Sequence, residues 1–345
     1  MNISNEKITK FIKNILKDPL FLKHWEDPFY YHRHDDDNRL SVVLAGRRGK
    51  PYPYRGDSFM FIQDMYTGIM PFMVYSGERE KYPTKLESNL KQRERFISSG
   101  ISQEGRNIFL ADALCDFVRT TAHALFSQGV AFYEIVYKKD AKGNIESFDL
   151  EYLQPFYLIH FFNNYYQIIP WWEAKESRAR VRIIKIPAEK ILKIDFPKQF
   201  GGKKKICSVL KKLWQLSKET IPDFYMQTMK DNQNIGFNLN EFTKVKYLEI
   251  ARLVKHLGWN QRQYSDNYIT EYYSVVRFLR KKKLEAVIRQ EIIFKLNKCL
   301  NRAPLNIGEK ITMENLFSVQ DVEKQEKLLK KGNIKFKDIF DAFKI

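Results

Sequence analysis

Cysteine is scarce in this chain: three in 345 residues, Cys115, Cys207 and Cys299. They are far apart and odd in number, which excludes a disulfide framework and a CxxC metal knuckle. Each sits in an apolar helical context, as in Ala113-Leu114-Cys115-Asp116-Phe117, and is expected as a buried, reduced thiol in a reducing compartment. No run approaches ~18 consecutive apolar residues, so no membrane span and no membrane partner are expected. The opening residues Met1-Asn2-Ile3-Ser4-Asn5-Glu6-Lys7 lack the apolar stretch of a signal peptide. These absences place the chain in the cytosol, or in a particle assembled there. The motifs of common catalysts are missing too. There is no P-loop spacing, no nucleophile elbow, and no Cys/His pairing with local support. A catalytic carboxylate pair is not excluded, but none is indicated; neither an enzyme nor a cofactor is expected. Acidic residues are also in short supply, 41 Asp+Glu against 59 Lys+Arg, for a net charge of +18. A balance that basic attracts polyanions.

What is present is enough for a folded protein of about two or three domains. Hydrophobic residues make up 44% and aromatics 14%, so a sizeable core can form. The pattern predicts an α+β protein: an antiparallel β-meander with a packed helix, followed by a helical C-terminal half containing long helices. Four regions are expected: 1–107, 108–202, 203–302 and 303–345. In the first, Ile8, Phe11, Ile12 and Ile15 mark an amphipathic helix over 3–23 that Asp18-Pro19 ends. Dense turn residues over 26–107 predict irregular structure with a helix or two. A helix over 108–128 closes at Gly129, and strands follow over 130–137, 145–153, 158–162, 165–169, 181–186 and 191–194. After Gly201-Gly202 come helices over 203–218, from Pro222 to about Lys230, over 242–256 and over 269–300, with a final pair over 319–331 and 336–343. The helix over 269–300 carries Tyr272, Val276, Leu279, Val287, Ile288, Ile292, Phe294 and Leu296 as its apolar positions. At ~1.5 Å per residue it would span more than about 40 Å.

Three features could carry chemistry. His32-Arg33-His34-Asp35-Asp36-Asp37 places two imidazoles on one side of a strand, with carboxylates able to complete a metal site for a nuclease. The HxHxDH pattern of metallohydrolases would need a third histidine where Asp37 stands, and a solvated acidic turn is the competing reading. Gly46-Arg47-Arg48-Gly49-Lys50 resembles a phosphate loop, but Pro51 and Pro53 forbid the helix such a loop needs, so it reads as a basic surface loop. The basic runs are the strongest feature outside the core. Lys198–Lys218 holds seven lysines and no acid, and Arg277–Arg302 holds nine basic residues against Glu285 and Glu291. Each contributes +7, so 14 of the 18 net charges fall in two helices and their entry. Either this is a solvated face, or Lys203, Lys204, Lys205, Lys211, Lys212, Arg277, Arg280, Lys281, Lys282 and Lys283 form a stripe facing a DNA backbone. Nothing implies base reading, so such contact would be sequence-independent and salt-sensitive.

A succession of short motifs then adds a family resemblance. Ser127-Gln128-Gly129-Val130-Ala131-Phe132-Tyr133-Glu134-Ile135 follows a helix. Tyr152-Leu153-Gln154-Pro155 ends a strand. Ile186-Pro187-Ala188-Glu189-Lys190-Ile191-Leu192 follows a hairpin, and Phe196-Pro197-Lys198-Gln199-Phe200-Gly201-Gly202 leads into a helix. Glu291-Ile292-Ile293-Phe294-Lys295-Leu296-Asn297 ends the long helix, and Leu328-Leu329-Lys330-Lys331-Gly332 precedes the last one. In this order the segments resemble the portal proteins of tailed bacteriophages, over more than half of the chain. The resemblance implies a non-enzymatic subunit of a homo-oligomeric ring, a dodecamer, at the capsid vertex of the virion. DNA would be packaged and ejected through that ring. Double-stranded DNA, capsid protein, terminase and the head-completion or tail adaptor proteins would be its partners. The block over 108–202 would be the wing, and the long helices would line the channel. The alternative is a sequence-independent DNA-binding replication or partition factor of a phage or plasmid, with the same charge and no ring.

Overall fold

The expected helix over 108–128 is the pivot of the fold. In the computed structural model the described residues are 57–70, 84–86, 91–102, 109–168, 183–218, 239–261, 270–302, 304–308, 310–313 and 316–343. All of them belong to one compact unit, Gly56–Ile345; the other unit is Met1–Arg55. The helix expected over 3–23, the His32–Asp37 cluster, the Gly46–Lys50 loop and the helix after Pro222 lie outside the described residues. The elements are α1 (Asp57–Thr67), β1 (Thr84–Leu86), α2 (Lys91–Ile101), α3 (Leu110–Gln128), β2 (Val130–Lys139), β3 (Ile145–Leu153), β4 (Leu158–Phe161), β5 (Asn164–Ile168), β6 (Ile183–Pro187), β7 (Ile191–Asp195), α4 (Gly202–Lys218), α5 (Leu239–Leu253), α6 (Glu271–Leu300), β8 (Ile311–Met313), α7 (Val319–Lys330) and α8 (Phe336–Ala342). The stretch expected to be irregular therefore supplies two helices and a short strand.

Apolar and small residues circle α3, and α1, α2, α4, α6 and β2 all pack on it. Its Phe126 lies edge-on to Phe61 and Phe196, and its Phe117 meets Tyr133 of β2. Burying one such ring contributes roughly 1.5–3 kcal/mol. Thr121 and Tyr133 share a buried 2.7 Å hydrogen bond between their hydroxyls, so neither side chain is desolvated without compensation. The helix ends at Gly129, whose φ of 73° is the left-handed stop that glycine adopts without a Cβ penalty. The chain then enters β2 directly.

The meander divides into two sheets. β6 pairs with β5, but β7 returns to the free edge of β2, giving the orders β3-β2-β7 and β4-β5-β6, both antiparallel. A single meander was expected because the strands alternate without long gaps. Pro155 opens a 3-10 turn before β4, and Pro187 caps another before β7. The two turns detach the middle strands from the first sheet. β2 also has no polar face over its first four residues, all of which are buried. Ala131, Tyr133 and Ile135 alternate with Val130 and Phe132. The latter pair joins Leu153, Ile186 and Ile191 in the small core between the sheets. A strand buried on both faces needs a partner on both edges, and β7 supplies the second.

The longest helix, α6, has 30 residues and begins at Thr270, whose hydroxyl accepts from the Tyr273 amide. Its first half packs on α7 and α8 through Val275, Leu279, Val322, Leu329, Ile339 and Phe343. Contacts with α3, β7 and β8 complete its surroundings. Two of its expected apolar positions face outward instead: Tyr272 is 49% exposed and Phe294 is 61% exposed. The helix expected over 242–256 begins earlier, at Leu239, and its end unwinds into turns reaching Gly258. At Gly258, with φ 81°, a Cβ would overlap the Arg277 carbonyl and the Lys281 amide nitrogen. Only glycine lets this turn lie against the α6 backbone.

Candidate nucleic-acid interface

Four apolar residues of α4, Ile206, Val209, Leu210 and Leu213, are buried at helical spacing. They fix which side of the helix faces out. Lys203, Lys204, Lys205, Lys211 and Lys212 are all exposed on the remaining surface. Among the described residues none of the five forms an ion pair. The chain enters α4 through Lys198–Phe200 and the left-handed Gly201, and the positive end of the helix dipole adds to the three lysines at its start. Lys205 and Arg280 of α6 both act on His256, in the turn after α5. Burial, then these two charges, hold that imidazole below its ordinary pKa of 6.5. Arg280 also donates to the Lys255 carbonyl at 3.1 Å. Lys205, the 254–258 turn and Arg280 thus lie near one another, with the other four α4 lysines exposed along the same helix. Such an array can engage phosphates.

The basic run of α6 has another fate. Arg277, expected on the DNA-facing stripe, is fully buried and donates to the Trp259 carbonyl while its guanidinium lies over Tyr273. Lys282, 16% exposed, pairs with Glu285 at 3.0 Å and approaches the Phe317 ring at 5.0 Å. Lys281 stands 3.9 Å from the same carboxylate. Lys283 is tied to Glu323 and Glu326 of α7 at 2.9 and 3.7 Å, and the hydrogen bond to Glu323 raises its pKa. These residues are spent on internal contacts because α6 has packing partners on several sides. Of the ten residues expected to face DNA, the five on α4 are exposed, Arg280 is half-buried near Lys205, and the other four are engaged in contacts within the fold.

Several functional-looking residues escaped the sequence reading. Arg289 is buried and donates to the Ile69 carbonyl at 2.8 Å and the Phe317 carbonyl at 2.7 Å, and its guanidinium stacks over the Phe317 ring. Burial lowers its pKa to about 10 despite the opposing pull of Glu285. Glu285 is itself buried. Asn297 uses both ends of its amide on one residue, donating to the Ile311 carbonyl and accepting from the Ile311 amide, at 2.9 and 2.8 Å. It stands in for a neighbouring strand on the free side of β8. Its place in the Leu296-Asn297 motif was the available signal.

Other reactive groups are muted. Burial pushes the Cys115 thiol up to about 12 and Cys299 to about 11, while Cys207 points at the Gln128 carbonyl from 3.6 Å. Burial drives His123 down to about 3, which leaves it neutral. Among the described residues no three His, Cys, Asp or Glu side chains converge on a metal-sized site, and no helix is long and apolar enough to cross a membrane.

The described residues define a basic α+β unit that combines helices with three small antiparallel sheets. No protein-family model matches the chain, and no curated protein matches it. Among solved structures, an HK97-family phage portal protein from Corynebacterium diphtheriae is similar over 74% of this chain and 91% of its own, with 9% identity and a TM-score of 0.32.

Proposed function

We propose that this chain is a portal-type subunit, a non-enzymatic protein that closes into a ring at a capsid vertex and lets double-stranded DNA pass. The observation that carries the reading is where the motif residues fall. Gly129 is the left-handed link from α3 to β2. Pro155 opens the turn that starts the second sheet. Pro187 caps the turn that returns the chain to β2. Gly201 ends the loop into α4, and Asn297 holds β8 against α6. Residues of the resemblance thus occupy successive joints of one connected scaffold, which supports the reading.

In this reading the block over 108–202 is the wing packed against the capsid. Assembly is heterologous, each subunit meeting its neighbours through two different faces. The α4 surface offers weak, sequence-independent phosphate contacts that hold DNA without stopping it. Packaging would be driven by a separate terminase docked on the ring, with capsid and adaptor proteins as further partners and the virion as its location. The test is mass photometry of the purified full chain at low and moderate salt, with negative-stain images of large species. Closed rings with a central hole are expected. A monomer or dimer that stays unassembled when supplied with capsid and scaffold proteins, yet binds duplex DNA tightly, would replace this reading with the DNA-binding factor.

A further inference from the structure

The turn after α5 carries an imidazole up to cations from two other helices. α5 packs on α4. The turn itself lies on the α6 backbone, where a Cβ at Gly258 would stand 3.1 Å from the Arg280 carbonyl carbon. Arg280 reaches back and donates to the Lys255 carbonyl, one residue before His256. On α4, Gly201 makes room for the stem of Lys205, whose Cβ would lie 2.5 Å from a Cβ placed there. The turn is closed by its own bonds, from the Leu257 and Gly258 amides to the Val254 carbonyl at 2.9 and 3.1 Å. Lys205, His256 and Arg280 thus stand on elements fixed before any ligand arrives, which limits the entropy lost on binding.

His256 is half-buried, and its Nε2 is buried without a hydrogen-bond partner among the described residues. Lys205 is exposed, and neither it nor Arg280 forms an ion pair among the described residues. The Lys255 carbonyl takes one nitrogen of Arg280, and a guanidinium has further N–H groups to offer. The charges acting on His256 are these two cations, with no carboxylate to offset them. Lys198–Lys218 contains no acid. On α5 and α6 the acids closest in sequence are engaged, Glu249 with Arg252 at 2.6 Å and Glu285 with Lys282 at 3.0 Å. Lys281 stands beside Glu285, and Arg277 is buried against Trp259. Two unpaired cations repel a third charge between them, and an anion seated on them removes that repulsion.

We propose that Lys205, His256 and Arg280 form one phosphate site, and that filling it draws a proton onto His256. Lys205 and Arg280 hold the phosphate oxygens by charge-assisted hydrogen bonds, and His256 contributes through its charge. A ligand that promotes proton uptake binds more tightly as pH falls. Affinity for phosphate-bearing ligands therefore climbs below pH 6.5, the ordinary histidine value under which His256 is held. The phosphate comes from a nucleic-acid backbone or from the free ion. The choice of the backbone, though not the site, rests on the portal-type reading. Ring closure, read by mass photometry, holds or fails independently of the site.

The experiment follows the histidine resonances of the full chain by NMR from pH 5 to 8, at constant ionic strength. Sodium chloride alone, inorganic phosphate and a short DNA duplex are compared. The His256→Gln spectrum assigns the His256 signal, and exposed His160 of β4 is the internal reference. With duplex the His256 midpoint should rise by about half a pH unit or more over chloride alone, while His160 stays in place. A rise with both ligands supports a site for phosphate in any form, and a rise with duplex alone assigns it to the backbone. A rise with inorganic phosphate alone keeps the site and removes it from DNA contact. Lys205→Gln and, separately, Arg280→Gln should abolish the rise, with thermal melting to check that each variant folds. In duplex binding by fluorescence anisotropy, the parent should tighten about threefold to tenfold more than His256→Gln between pH 7.5 and 5.5. Equal shifts at His160 and His256 would reveal diffuse attraction and overturn the proposal. So would a His256 signal unmoved by either ligand, or a His256→Gln variant that keeps the parent's pH dependence.

Discussion

Two basic runs of equal net charge, Lys198–Lys218 through α4 and Arg277–Arg302 through α6, are treated by the fold in opposite ways. On α4 one apolar stripe is buried and the lysines beside it point outward without ion-pair partners among the described residues. On α6, Arg277, Lys282 and Lys283 lean against Trp259, Glu285, Phe317 and α7. The difference is how many sides of each helix are occupied. A helix with one packed side exposes its charge; one packed on several sides must pair it, because an unpaired buried charge costs several kcal/mol. Net charge per segment therefore reports attraction for polyanions only after packing is known.

The sharpest break in this comparison is Arg289→Ala on α6. It removes two charge-assisted hydrogen bonds and the stacking on Phe317, and leaves the Ile69 and Phe317 carbonyls without this donor. A loss of about 2–5 kcal/mol in urea unfolding is expected. Lys211→Ala on α4 should change stability by less than about 0.5 kcal/mol. Next comes Asn297→Ala, which strips both backbone groups of Ile311 of their partner. The expected loss is about 1–3 kcal/mol, with faster hydrogen exchange confined to 310–313. Smaller again is the Lys283–Glu323 pair. Because Glu323 is about half exposed, a double-mutant cycle should give a coupling smaller than either loss above, and one that weakens as salt rises.

The smallest expected effect is at His256, which feels one cation from each helix. His256 is held below 6.5 by burial and by Lys205 and Arg280. A depressed histidine pKa means the unfolded chain binds the proton more readily, so this group's contribution to stability is present above pH 6.5 and declines as pH falls below it. Lys205→Gln should move the His256 titration upward in an NMR pH series. No movement would mean that Lys205 does not share the surface described for it.

Much of this fold was legible because its signals are local. Gly129 after an apolar helix and Gly201-Gly202 before α4 each determine structure within a few residues. Partners distant in sequence were not legible. Nothing near Ile191 indicates that β7 pairs with β2 rather than β6. Nothing around Arg277 tells that a turn ending at Gly258 will bury it. Phe294 and Tyr272 fit the helical period but face outward, since period alone cannot say which arcs of a long helix find partners. The candidate interface was half legible for the same reason. Lysine density marked both helices, and only tertiary packing separated the surface charges from the internal ones.

The most direct test of that separation is duplex DNA binding by the full chain across a salt series. A variant with Lys203, Lys204, Lys205, Lys211 and Lys212 all changed to Gln is compared with one carrying Lys282→Gln and Lys283→Gln. The α4 variant should bind at least about tenfold more weakly, with a shallower dependence of log affinity on log salt, by up to about 0.9 per lost phosphate contact. The α6 variant should keep the parent's slope and differ mainly in stability. An α4 variant that binds like the parent, or an α6 variant that loses the slope, would contradict the assignment of the DNA-facing charge to α4.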